Sequence, residues 1–207
     1  MLLDAFPVFL TLFILIDPLG VSMVYLSLVA GAGLDRAERR FVAMKAPVVA
    51  FGVLALFIFF GRGLINSLGI LPGSLYVAGG ILLFSVAMDL LLGKPKRMKG
   101  EGNEGGGYGT DIAVFPLALP LLSGPGAITA ILIFTSERAG DLAFSLTLTV
   151  MVAIILALGV LAMLGSEYIR RVLRRTGVSV IERIMGILLA GMSVQFVYDG
   201  LHLLEVL

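Results

Sequence analysis

Between Ile112 and Thr135 the chain carries an apolar run long enough to cross a bilayer, and the centre of that run reads Ser123-Gly124-Pro125-Gly126. Proline removes a backbone donor and clashes with the preceding turn, and glycine costs about 1 kcal/mol against alanine in a helix. In hydrocarbon each free backbone group costs several kcal/mol, so irregular backbone at membrane depth has to line a cavity enclosed by protein. The run therefore predicts a helix interrupted at a binding site.

Composition agrees with a bilayer environment. Of the 207 residues 59% are hydrophobic and only 14% charged, where a soluble domain carries about 25% charged residues. The mean hydropathy is +1.07. This is the signature of an all-α membrane protein. Six apolar stretches, at roughly 5–30, 43–61, 72–92, 112–135, 141–165 and 182–204, each approach the ~20 residues needed to cross a ~30 Å hydrocarbon core. The opening Met1-Leu2-Leu3-Asp4 lacks a basic region, so the first apolar run is expected to be retained rather than cleaved as a signal. With no cysteine, disulfides, thiolate nucleophiles and cysteine metal sites are excluded.

Positive charge sorts cleanly between the two sides of the six stretches. Arg36, Arg39, Arg40 and Lys45 belong to the first connection, Lys94, Lys96, Arg97 and Lys99 to the third, and Arg170, Arg171, Arg174, Arg175 and Arg183 to the fifth. Only Arg62 and Arg138 lie on the other side. The positive-inside rule then puts these basic connections in the cytoplasm and both termini outside a multi-pass protein of the cell membrane.

The chain also repeats itself. Asp17-Pro18-Leu19-Gly20 interrupts the first stretch as Gly124-Pro125-Gly126 interrupts the fourth, with the prolines 107 residues apart. Gly80-Ile-Leu-Leu83 in the third stretch returns as Gly186-Ile-Leu-Leu189 in the sixth, 106 residues on. Three spans per repeat is an odd number, so the second half has to be inverted relative to the first. The expected organisation is a three-helix repeat over 1–92, a flexible cytoplasmic linker over 93–111 and an inverted three-helix repeat over 112–207, with helices 1 and 4 discontinuous at the midplane. Inverted repeats with paired broken helices point to a secondary transporter.

The two breaks differ chemically. Asp followed by Pro is a favoured helix start, Asp at the cap accepting from the new helix's free N–H groups. At Gly124–Gly126 the restarting helix instead has bare N–H groups and its positive dipole end, a seat for a carboxylate. A zwitterionic amino acid would offer its carboxylate to Gly124–Gly126 and its ammonium to Asp17; equally, Asp17 is wholly used as a cap. Substrate-binding candidates are Asp17, Pro18, Gly20, Ser123, Gly124, Pro125, Gly126 and Thr129, and coupling candidates are Asp17, Asp89 and Asp199. The last two also fit interfacial snorkelling. Gly186 with Ala190 and Ala46 with Ala50 read as helix-packing faces.

Other chemistry finds little support. Gly100-Glu-Gly-Asn-Glu-Gly105 follows no strand and opens no helix, so it reads as linker and not as a nucleotide loop. No enzyme, metal site, cofactor or nucleic-acid partner is expected: there is one histidine and no zinc-ligand pattern. A channel or an exporter of other small molecules is the alternative to a carrier.

Two motifs, Ile16-Asp17-Pro18-Leu19-Gly20 and Pro116-Leu-Ala-Leu-Pro-Leu-Leu-Ser-Gly-Pro-Gly-Ala-Ile-Thr129, together with six spans in two halves, resemble the MarC family of bacterial and archaeal membrane proteins, which includes the SnatA neutral amino-acid transporters. The resemblance covers essentially the whole chain, although many relatives have Asn where this chain has Asp17. It implies transport of small neutral amino acids such as glycine and alanine, coupled to protons or sodium, with helices 1 and 4 unwound around the substrate.

Overall fold

A computed structural model describes residues 2–92, 112–138 and 140–206. The expected linker over 93–111 lies outside the described residues. Within them the chain is helical throughout and contains no strand: α1 Leu2–Ile16, α2 Pro18–Gly31, α3 Arg36–Ser67, α4 Pro72–Leu91, α5 Ala113–Leu122, α6 Pro125–Glu137, α7 Leu142–Leu164 and α8 Ser166–Leu203. Phe6–Gly31, Arg36–Ser67, Leu142–Leu164 and Arg183–Leu203 are long and apolar enough to cross a membrane. Two shorter apolar segments, Gly73–Asp89 and Pro125–Glu137, fall below that length.

Two helices overrun the stretches expected from hydropathy. α3 has 32 residues and begins inside the charged connection, where Asp35 and Glu38 form a reciprocal cap: Glu38 N donates to Asp35 Oδ1 at 2.8 Å and Asp35 N to Glu38 Oε2 at 2.9 Å. α8 has 38 residues, about 57 Å at 1.5 Å per residue, so the basic segment 166–181 is the first half of a helix and not a loop. Arg and Glu are good helix formers, and their charge keeps a segment out of hydrocarbon without unwinding it.

The main core gathers Leu12, Ile16, Leu54, Leu117, Leu122, Ile131, Leu148 and Ile155, all fully buried, from α1, α3, α5, α6 and α7. Ala46 and Ala50 lie fully buried on α3 as the expected packing face. α4 and α8 make the most extensive helix pairing and run antiparallel. A Cβ on Gly73 would lie 2.9 Å from Gly200 O, one on Gly80 2.7 Å from Ser193 O, and one on Gly200 2.8 Å from Gly73 O. Only glycine lets these backbones meet, as in small-residue membrane interfaces. Gly186 is buried farther along the same helix.

At the end of the molecule where α3 and α8 begin, the Tyr25 hydroxyl donates to Arg39 O at 2.8 Å and Arg39 Nε to Leu34 O at 2.9 Å. Arg39 also pairs with Glu167 at 3.4 Å, so its side chain ties the start of α3 to the start of α8 and to the connection that follows α2.

Candidate functional site

The first break is a single residue. Asp17 takes a left-handed conformation, φ 49° and ψ 64°, which Asp and Asn tolerate better than other side chains. Asp17 N still closes α1 on Phe13 O at 3.0 Å, and Asp17 O opens α2 by accepting from Val21 N at 3.0 Å. Its carboxylate folds over the new helix, Oδ1 accepting from Gly20 N at 2.9 Å. The cap role is therefore realised. It also explains Gly20: a Cβ there would lie 2.0 Å from Asp17 Oδ2 and 2.7 Å from its Cγ. Pro18 occupies the first helical position, where its missing N–H costs nothing.

The second break is longer because prolines recur before it. A residue preceding proline is pushed out of the helical region. Phe115 before Pro116 (φ −127°, ψ 120°), Leu119 before Pro120 (φ −121°, ψ 123°) and Gly124 before Pro125 (φ −69°, ψ 165°) are all extended. α5 consequently winds with wide i→i+5 bonds rather than α-helically. Ser123 ends it by donating both its N–H, at 3.0 Å, and its hydroxyl, at 2.8 Å, to Ala118 O. Pro125 then opens α6, whose N-terminus has no side-chain cap. The Thr129 hydroxyl donates to Pro125 O at 2.8 Å. In this state the hydroxyl protons of Ser123 and Thr129 are held by their own backbone, leaving their oxygens as acceptors.

The fold brings the breaks side by side. A Cβ on Gly126 would lie 3.2 Å from Leu15 Cδ2, two residues before Asp17, and 2.9 Å from Leu83 Cδ2, midway along α4. Gly79, one turn away on α4, faces the Thr129 methyl. α4 thus forms a third wall that the two motifs do not reveal. The result is one self-capped negative helix start and one bare helix start meeting inside the bundle. The two starts differ in charge, one carrying the Asp17 carboxylate and the other having no side-chain cap.

The coupling candidates do not converge. Asp89 is exposed near the end of α4. Asp199 accepts from Gln195 Nε2 at 2.7 Å on α8. Near it lies a pair that the sequence reading missed: the Tyr76 hydroxyl of α4 donates to Glu137 Oε1 at the end of α6. The two residues are 61 positions apart, and Glu137 falls between the fourth and fifth apolar stretches, so no local pattern marks the pair. Among the described residues no three His, Asp or Glu side chains group as metal ligands.

These elements define an all-helical, multi-pass integral membrane protein with two interrupted helices packed against each other. Sequence comparison makes the assignment specific: residues 3–204 match the MarC family of integral membrane proteins, and the chain belongs to that family. It is 38% identical over 197 residues to a UPF0056 membrane protein of Archaeoglobus fulgidus, covering 95% of this chain and 91% of the relative. A UPF0056 membrane protein of Aquifex aeolicus is 38% identical over 198 residues, covering 93% and 90%. The UPF0056 membrane protein YhcE of Escherichia coli is 32% identical over 200 residues, covering 95% and 91%. No solved structure matches the chain.

Proposed function

We propose that the protein is a secondary transporter of small neutral amino acids, of glycine or alanine size, working by alternating access. The observation that carries this reading is the uncapped start of α6 at Gly124, set against the Asp17-capped start of α2. Free N–H groups at a helix start favour an anion, here the substrate carboxylate, and the carboxylate of Asp17 favours its ammonium. Pro18, Gly20, Ser123, Pro125, Gly126 and Thr129 complete the site. The Cβ positions of Gly20 and Gly126 are taken up by Asp17, Leu15 and Leu83, so this packing suits only a ligand with a short side chain.

In this reading α1–α2 and α5–α6 are each one interrupted span, and each is followed by two continuous ones. That order gives six spans in two inverted repeats, 1–92 and 112–207, with the breaks at the bilayer midplane and both termini outside. Transport is coupled to protons or sodium and involves no covalent chemistry.

The test is reconstitution in liposomes and counterflow of labelled glycine and alanine, with and without proton and sodium gradients. Exchange of either amino acid, driven uphill by one gradient, is the expected result. No exchange of any neutral amino acid overturns the proposal. An Asp17→Asn variant with full uptake and unchanged ion dependence would remove the charge role of Asp17 alone.

A further inference from the structure

α6 has the substrate cradle at one end and Glu137 at the other, and it lies antiparallel along α4. Gly126 faces Leu83, Thr129 faces Gly79, and Glu137 accepts from Tyr76, so both ends of α6 register on α4. Tyr76 is 6% exposed and cannot turn away: its ring meets Phe196 edge-on at 5.7 Å and its Cβ lies against Gly200. The Tyr76–Glu137 bond therefore fastens the far end of α6 to the α4–α8 pair. α6 spans 13 residues, about 18 Å from Pro125 to Glu137, short enough to move as one piece.

Among the described residues three groups act on the Glu137 carboxylate. Tyr76 comes from α4, Asp199 brings a second negative charge from α8, and Arg138 brings a positive one from the adjoining chain. On α3, which also packs against α6, Arg62 is exposed. A hydrogen bond to an ionised acceptor is roughly twice as strong as one between neutral groups.

We infer that Glu137 is a proton-binding latch: as a carboxylate it accepts from Tyr76 and holds α6 on α4, and on taking up a proton it releases that end of the helix. The role of the latch in coupling rests on the transporter reading above, since freeing the Glu137 end would let α6 tilt on α4 and so open or close the cradle at Gly124. The hydrogen bond and its response to protons do not rest on it.

The test uses the full chain in lipid nanodiscs without substrate. Amide hydrogen exchange of residues 125–137 is followed against pH, with residues 142–164 of α7 as the internal reference for the intrinsic pH dependence. On acidification α6 should exchange about threefold to tenfold faster relative to α7, the size expected of one interhelical hydrogen bond within a membrane. Glu137→Gln should abolish that pH dependence. Tyr76→Phe should give the fast rate at every pH, and Glu137→Asp should keep the pH dependence. An unchanged pH response in Glu137→Gln, or wild-type protection of α6 in Tyr76→Phe at neutral pH, overturns the latch. If the exchange pattern holds but liposomes show no amino-acid counterflow, the latch stands and its coupling role falls. Counterflow with a flat exchange profile has the opposite meaning.

Discussion

Replacing Gly20 by alanine should stabilise α2 less than an ordinary glycine-to-alanine change in a helix. Propensity alone favours alanine by about 1 kcal/mol. A Cβ at position 20, however, would lie 2.0 Å from Asp17 Oδ2, so the carboxylate has to leave and its 2.9 Å bond from Gly20 N is lost. Losing such a cap costs about 0.5–2 kcal/mol. The net change should therefore run from about 0.5 kcal/mol of gain to about 1 kcal/mol of loss. The cap can be isolated by a double-mutant cycle. With Asp17→Ala in place there is no carboxylate to displace, and Gly20→Ala should recover its full gain of about 1 kcal/mol. The coupling between the two positions should then be about 0.5–2 kcal/mol, measured by reversible unfolding in detergent. Asp17→Asn keeps an acceptor and suits the left-handed backbone, so it should stay near wild type. Additive effects of Asp17→Ala and Gly20→Ala would refute the cap geometry and the reason given for a glycine at 20.

Gly80→Ala should destabilise the protein by about 1–3 kcal/mol, because its Cβ would meet the Ser193 carbonyl at 2.7 Å and backbone cannot yield as a side chain can. Gly191→Ala on α8, with nothing within 4 Å, should instead gain about 1 kcal/mol; thermal unfolding of both variants checks the contrast. The chain has no cysteine, so single cysteines report sidedness without background. A cysteine at Arg36 should react with impermeant thiol reagents only from the cytoplasmic side and one at Gly140 only from outside, and the reverse pattern would invert the proposed orientation.

The two breaks were legible because glycine and proline act through local backbone geometry, which a sequence states directly. The cap at Asp17 followed from the Asp-Pro pair for the same reason. The winding of α5 is equally local: Phe115 and Leu119 are extended because Pro116 and Pro120 follow them. Helix ends were misread where charge stood in for a stop signal. The Asp35–Glu38 capping box starts α3 inside the charged connection, and Gly165 alone separates α7 from α8. What a single sequence could not supply was which helices meet. Gly79 against Thr129 and Tyr76 against Glu137 join residues about fifty and sixty positions apart, with no periodicity to link them. The third wall of the candidate site and the pair at the end of α6 came only with the packing.

The glycine contacts between α4 and α8 bear on which parts of the molecule can move. Where helices meet through long side chains, a change of rotamer lets one slide past the other. Where Gly73 and Gly200 each face the other's carbonyl oxygen, backbone stands in the way and sliding drives atoms into atoms. The α4–α8 pair is then the chassis of the protein, and in the transporter proposed above the working stroke would fall on the short helices hung beside it.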